Sequence, residues 1–84
     1  MLNTIKVKLY GAQRCRKTRY YQAFLENQNL DYQFLDVEEN ENYAEELKGL
    51  YQNRKLNFPT LTINTKKFRN PTDTELLQWL TNNK

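Results

Sequence analysis

Apolar and polar positions alternate along the chain in blocks that predict a regular series of strands and helices. The first block, Ile5 to Tyr10, alternates apolar with basic residues, which is typical of a strand that ends at Gly11. A helix is predicted from about Cys15 to Gln28, with Asn27 or Asn29 as a left-handed C-cap. Its apolar residues recur at helical spacing and are Tyr20, Tyr21, Phe24 and Leu25.

The middle of the chain repeats this alternation of strand and helix. Residues Leu30 to Val37 are apolar on both faces, which predicts a strand covered on both sides. Asn40 can cap a second helix that ends near Asn53, with Arg54 and Lys55 at its negative C-terminal pole. The apolar stripe of this helix is Tyr43, Ala44, Leu47, Leu50 and Tyr51.

The C-terminal third predicts a hairpin and a last helix. After Pro59, the segments 60–63 and 66–69 are joined by a turn at Asn64 and Thr65, as in a short hairpin. The helix that follows is predicted to have Asn70 as its capping residue, Pro71 at its first position and a capping box from Thr72 to Glu75. Its apolar residues are Leu76, Leu77, Trp79 and Leu80.

The resulting order, βαβαββα, specifies an α/β fold of thioredoxin-like type. A strand, helix, strand start requires a right-handed crossover between parallel strands. The terminal hairpin then extends the sheet antiparallel on the other edge, and the three helices cover the two faces. Because the chain has 84 residues, we expect one domain spanning residues 1–84.

Composition excludes several classes of chemistry. The chain has one Cys and no His, so it can form no intramolecular disulfide, no four-ligand zinc site and no His-dependent nucleophilic dyad. No apolar run approaches the ~20 residues of a membrane-spanning helix, and the segment Met1 to Val7 lacks the features of a signal peptide. We therefore expect a cytoplasmic protein in a reducing compartment, without a membrane partner.

The charges are segregated along the chain. Residues 1–25 carry six basic and no acidic side chains, residues 26–47 carry eight acidic and no basic ones, and residues 48–84 are basic again. This pattern predicts a positive face that attracts an anionic partner, although charge runs are often only solvated surface. The densest basic stretch, Arg14 to Arg19, surrounds the only cysteine.

Cys15 is the candidate catalytic residue. Its predicted position at or beside the N-cap of the first helix exposes the thiol to unsatisfied N–H groups and to the helix dipole. Arg14, Arg16 and Lys17 add positive charge, and the Thr18 hydroxyl lies one turn on. The alternative is a small buried thiol that only packs. The flanking charges favour a reactive thiolate over that alternative.

Five segments along the chain carry a family pattern: Val7 to Gly11, Cys15 to Thr18, Ala23 to Leu25, Tyr32 to Val37 and Asn57 to Thr60. Together they cover nearly the whole chain, which resembles the glutaredoxins. The resemblance implies a glutathione-linked thiol–disulfide oxidoreductase with Cys15 as nucleophile and Pro59 as a cis proline. Phe58 would then offer backbone hydrogen bonds to the substrate. Thr18 stands where dithiol members have their second cysteine, so the motif is a monothiol Cys-x-x-Thr.

The resemblance also implies a glutathione site at the start of the last helix. Asn70, Pro71 and Thr72 would form a helix N-terminus that receives a carboxylate, and Asp73 matches an acidic position of the family. Three positions depart from the family pattern. Ala12 replaces a lysine, and Arg69-Asn70 replaces a Gly-Gly pair.

Three functional hypotheses follow, and the first leads. It is a monomeric monothiol oxidoreductase that uses glutathione as co-substrate and no metal. Its partners would be glutathione or glutathionylated proteins. An acidic protein partner also fits the basic surface, and nucleic acid is not expected. The alternative is a non-catalytic binding module that uses its basic face for an acidic protein or nucleic acid. The third, iron–sulfur ligation by Cys15 and glutathione in a dimer, ranks last because Arg16 and Lys17 are bulky.

Overall fold

The strands form a single four-stranded mixed sheet in the order β2-β1-β3-β4. The computed structural model describes residues 6–82. The elements are β1 (Val7–Gly11), α1 (Arg16–Asn27), β2 (Gln33–Asp36), α2 (Glu41–Lys48), β3 (Thr60–Ile63), β4 (Lys66–Arg69) and α3 (Asp73–Asn82). The predicted βαβαββα order and thioredoxin-like fold are confirmed. Within residues 6–82, no helix has the length and apolarity to cross a membrane.

The sheet has the strand directions that the sequence predicts. β1 lies parallel to β2, with Tyr10 beside Leu35, and antiparallel to β3, with Tyr10 beside Thr60. β4 folds back antiparallel on β3. The β1–α1–β2 segment is therefore the expected crossover unit, and the hairpin extends the opposite edge. The carboxyl end of β1 lies inside the sheet, between β2 and β3.

Two apolar layers cover the two faces of the sheet. Because successive strand residues point to opposite faces, the neighbours Leu9 and Tyr10 belong to different layers. The layer under α1 and α3 contains Val7, Leu9, Tyr21, Phe24, Leu25, Leu61, Ile63, Phe68, Leu76 and Leu80. The smaller layer under α2 contains Tyr10, Leu35, Val37, Ala44 and Leu47. The predicted strand with two covered faces, β2, contributes to both.

The predicted end of α2 is wrong. The helix is capped by Asn40 as expected, whose side chain accepts from the Asn42 N–H at 2.9 Å, but it ends at Lys48 rather than near Asn53. Beyond Gly49 the chain continues in tight turns, in which Leu50 N–H bonds Leu47 O and Tyr51 N–H bonds Lys48 O. The apolar stripe continues regardless, because Leu50 and Tyr51 still pack on the α2 layer. Arg54 does not lie at a helix end; it pairs with Glu45 at 3.0 Å.

The predicted start of α3 is also wrong by two residues. Thr72 and Glu75 form the expected capping box, in which each backbone N–H bonds the other residue's side chain, at 2.9 and 3.1 Å. Leu76 N–H bonds Thr72 O, so Thr72 is the N-cap and Pro71 precedes the helix. Asn70 adopts a left-handed conformation with φ 51° and does not cap it. The capping box of Thr72 and Glu75, rather than the position of Pro71, therefore determines where α3 begins.

The other boundaries shift only at the ends. β2 is shorter than the predicted segment Leu30 to Val37, because only Gln33 to Asp36 pair with β1; Leu30 and Tyr32 still pack on the larger layer. α1 is bounded by Cys15 and Gln28 as caps, and Asn29, not Asn27, takes the left-handed conformation, with φ 57°. Ile5, the expected first residue of β1, lies outside the described residues.

Gly11 allows α1 to pack closely on the end of β1. Thr18 is fully buried, and a Cβ at Gly11 would lie 2.4 Å from its hydroxyl oxygen and 2.7 Å from its methyl carbon. The Thr18 hydroxyl also accepts the Ala12 N–H at 3.2 Å. The first turn of the helix is thus held against the strand at the point where the Cys15 loop begins.

We expect Gly11→Ala to destabilise the protein by about 1–3 kcal/mol, because Thr18 has to move to admit a methyl group. Gly49→Ala is the matched control, since its Cβ would meet only helix carbonyl oxygens at 3.4 and 3.5 Å. That change should be neutral or slightly stabilising. Urea unfolding of the two variants measures the difference, and equal midpoints would show that the Gly11–Thr18 contact is not tight.

Candidate functional site: the Cys15 thiol at the start of α1

Cys15 is the N-cap of α1, as expected from the sequence. Its backbone is extended, with φ −82° and ψ 123°, and its carbonyl accepts the first helical bond from the Arg19 N–H at 3.1 Å. Its own N–H bonds Ala12 O at 2.9 Å, which closes the turn between β1 and α1. The thiol is half-buried. A sulfur in this position faces the N-terminal end of the helix dipole.

The pKa of the Cys15 thiol is lower than usual. Burial acts to raise this pKa, but it is outweighed by the Thr18 N–H, the Thr18 hydroxyl and the Lys17 N–H, all of which favour the thiolate. The neutral side chain forms no capping hydrogen bond of regular geometry. These donors therefore act as dipoles directed at the sulfur, and their effect grows when the sulfur is charged.

The basic side chains around Cys15 contribute less than the helix end. Arg14 is turned towards Glu38, to which its Nε donates at 2.8 Å, and this hydrogen bond raises the pKa of Arg14. The charge of Arg14 is the smallest of the influences that lower the pKa of Cys15. Arg16 and Lys17 are exposed, and Lys17 acts on the sulfur through its backbone N–H. The expected basic residues are present, but the charge of Arg14 is directed towards Glu38.

The Phe58–Pro59 bond is cis, as predicted. Pro59 is buried and Phe58 packs against the α2 layer. Because Tyr10 lies beside Thr60, this bond lies level with Gly11, at the end of the sheet from which the Cys15 loop departs. Arg69, in the place of the first family glycine, donates to the Pro59 carbonyl at 3.3 Å.

The start of α3 is joined to α1 by two tyrosine hydroxyls. Tyr20 donates to the Asp73 carboxylate at 2.5 Å, and Tyr21 donates to the Pro71 carbonyl at 2.6 Å. The Thr72 N–H, expected to receive a substrate carboxylate, already donates to Glu75. Asn70 is exposed beside this turn. The predicted carboxylate site at the start of α3 thus lies next to α1, but side chains of α3 itself already occupy part of this site.

Sequence reasoning missed the residues that connect these elements. The sequence places Tyr20 and Tyr21 among the apolar residues of α1, but about half of Tyr20 is exposed (51 %). The capping box in the sequence points to Glu75, but it does not show that Glu75 would compete with a ligand carboxylate for the Thr72 N–H. The adjacent tyrosines Tyr20 and Tyr21, a little over one turn after the N-cap, are the only sequence feature that hints at these contacts. The sequence does not show which groups their hydroxyls bond.

Comparison with known protein families identifies the family of this chain. The sequence pattern of the glutaredoxin family matches residues 7–68, from β1 to β4. The chain belongs to the glutaredoxin family. The proteins of this family are, in general, thiol–disulfide oxidoreductases.

Solved structures agree with the glutaredoxin assignment at the level of the fold. A single-residue variant of the thioredoxin-like protein BC3987 has a TM-score of 0.74 at 23 % identity, covering 88 % of this chain and 97 % of that one. The glutaredoxin of Archaeoglobus fulgidus has a TM-score of 0.73 at 15 % identity, covering 88 % and 84 %. Thioredoxin 1 of Thermosipho africanus has a TM-score of 0.63 at 22 % identity, covering 92 % and 91 %. No curated protein sequence matches the chain.

We expect Thr18→Val to raise the pKa of Cys15 and Lys17→Ala to change it little. Valine removes the hydroxyl but keeps the shape, whereas alanine at 17 removes an exposed charge and keeps the backbone N–H that faces the sulfur. Because only the thiolate reacts, the iodoacetamide reaction of Thr18→Val should slow by about an order of magnitude at mildly acidic pH.

Thr18→Ser is the matched control, because serine keeps the hydroxyl that valine lacks and should retain most of the wild-type rate. It also separates electrostatics from folding, since Thr18→Val leaves the buried Ala12 N–H without its acceptor. A Lys17→Ala effect larger than that of Thr18→Val, and persisting at high salt, would show that side-chain charge dominates instead.

Proposed function

We propose that the protein is a monothiol, glutathione-linked oxidoreductase that reduces mixed disulfides through the Cys15 thiolate. The observation that carries this proposal is the position of the half-buried Cys15 at the N-cap of α1, where the N–H groups of Thr18 and Lys17 act to lower the thiol pKa, in a chain of the glutaredoxin family. A thiolate at neutral pH is the attacking species in thiol–disulfide exchange. The cytoplasm supplies the reduced glutathione that such an enzyme requires.

In the first step, the Cys15 thiolate attacks the glutathione sulfur of a protein–glutathione mixed disulfide. A new bond forms between Cys15 Sγ and the glutathione sulfur while the original S–S bond breaks. The substrate cysteine leaves as a thiolate and takes up a proton from solvent. The products are the reduced substrate protein and Cys15 joined to glutathione.

In the second step, the thiolate of another glutathione attacks the glutathione sulfur held on Cys15. Oxidised glutathione leaves and the Cys15 thiolate is regenerated. Each turnover consumes one added glutathione, because the other half of the oxidised glutathione comes from the mixed disulfide. Thr18 stands where a second cysteine would be, and Cys15 is the only cysteine. The enzyme therefore depends on glutathione, rather than an internal thiol, for resolution.

Substrate binding is proposed to use the cis-proline loop and the start of α3. The backbone of Phe58, before cis-Pro59, lies at the same end of the sheet as the Cys15 loop and can pair with an extended substrate segment. Arg16 and Lys17 provide positive charge for the glutathione carboxylates. Asn70, Thr72 and Asp73 would contact the remainder of the tripeptide.

The second candidate is a binding module that does not catalyse exchange. It is favoured by one observation, that Glu75 already accepts the Thr72 N–H at the expected carboxylate site. Ala12 and Arg69 at positions where the family has lysine and glycine point the same way. Such a module would use its basic surface for an acidic partner.

The test is reduction of a glutathione mixed disulfide by the purified protein, with glutathione supplied and oxidised glutathione measured. We expect wild-type activity to depend on glutathione concentration and Cys15→Ser to fall to the uncatalysed rate, because serine exchanges a sulfur nucleophile for a hydroxyl. Thr18→Ser, which leaves the sulfur in place, is the matched control. An inactive wild type, or an active Cys15→Ser, would contradict the proposal and favour the binding module.

A further inference from the structure

A basic groove lies on the α2 side of the sheet, over the strand positions that α2 does not cover. α2 packs over Tyr10 and Leu35, at the carboxyl ends of β1 and β2. Beside α2 on the same face, a groove of about 730 Å³ is lined by residues of β1, β3 and β4, Tyr10 among them, and by Glu46 of α2. Its floor carries Lys8, Thr62 and Lys67.

The strand register explains how these three side chains meet. Lys8 pairs with Thr62, and Thr62 pairs with Lys67, so the three residues form one row across β1, β3 and β4. With strands ~4.8 Å apart, the two lysines start about 10 Å from each other on either side of the threonine. Lys6, two residues before Lys8, lies on the same face and also lines the groove.

Two of the ammonium groups are held in place by the protein. Lys67 Nζ donates to the Leu50 carbonyl at 2.9 Å and lies 4.1 Å from the centre of the Tyr51 ring. Lys8 Nζ bonds Glu46 at 3.1 Å. An ammonium has three donors, so each group keeps donors for a ligand while its position is already restricted. Such preorganisation reduces the entropy lost on binding.

The charges of the groove favour an anion. Three lysines and one glutamate line it, Glu46 being further bonded by the Tyr10 hydroxyl. A hydroxyl between two ammonium groups is the donor set that suits phosphate oxygens. We propose that this groove binds a small, multiply charged phosphate compound, such as a pyrophosphate or a phosphate ester.

The surroundings of the groove argue for a small ligand over a long polyanion. α2 forms one wall, and its side away from the groove carries the exposed carboxylates of Glu41 and of Glu45, the latter paired with Lys48 and Arg54. A nucleic-acid strand leaving the groove on that side would meet these carboxylates and no further basic row. A ligand that ends within the groove avoids them.

The groove is separate from the thiol site. Lys8 lies in the first half of β1, whereas Cys15 follows the other end of that strand. Three strand residues, or about 10 Å, separate Lys8 from Gly11, where the Cys15 loop begins. The proposed ligand therefore does not depend on the exchange reaction, and its binding can be tested in protein whose thiol is blocked.

The experiment titrates isotope-labelled protein with inorganic pyrophosphate while amide NMR shifts are followed. We expect saturable shifts centred on Lys8, Thr62 and Lys67, and a loss of affinity of about tenfold in Lys67→Gln, since one charge-assisted contact is removed. The matched control is Lys66→Gln, which removes the same charge from the neighbouring residue on the opposite face of β4. It should change the affinity less than twofold.

Thr62→Val provides a second test that leaves the net charge unchanged, and it should also weaken binding. Equal losses in Lys66→Gln and Lys67→Gln would overturn the proposal, because the attraction would then be non-specific. So would the absence of saturation with pyrophosphate at low salt. Affinity that rises with the length of a single-stranded oligonucleotide would contradict it in favour of a nucleic-acid surface.

Discussion

The contact of Thr18 with the end of β1 is the constraint on which the thiol site depends. The side chain is buried against Gly11, where any Cβ would collide with it, and its hydroxyl accepts the Ala12 N–H. A hydroxyl can accept and donate at once, so this bond leaves its proton available for the Cys15 sulfur. One buried threonine thereby fixes the helix on the strand and supplies a donor to the thiolate.

Because that contact sets the position of the first helical turn, the electrostatics of the site are largely built into the backbone. The N–H groups of Lys17 and Thr18 are fixed by the helix and face the sulfur without a mobile side chain. The segregated charges of the sequence, by contrast, are partly joined in the fold. Basic residues of β1 and its loop pair with acidic ones after β2 and in α2, as in Lys8 with Glu46 and Arg14 with Glu38.

Sequence patterns predicted the order of elements, the sheet and the N-cap position of Cys15, because alternation, helical spacing and capping residues are local signals. The hairpin strand 60–63 has the predicted bounds. The end of α2 was wrong because the apolar stripe persists through turns beyond Gly49. The start of α3 was wrong because the capping box outweighs Pro71. Contacts such as Tyr20 with Asp73, 53 residues apart, leave no local signal.

The most direct test of this account is the titration of the Cys15 thiol in the wild-type protein at low and at high salt, followed by thiolate absorbance. If fixed donors of the helix end stabilise the thiolate, the pKa lies below the ~8.5 of free cysteine and stays there when salt is raised, because salt screens short-range dipoles of the backbone much less than it screens exposed charges. A pKa that returns to the free-cysteine value in high salt would show that the surrounding charges stabilise the thiolate, and would contradict the account.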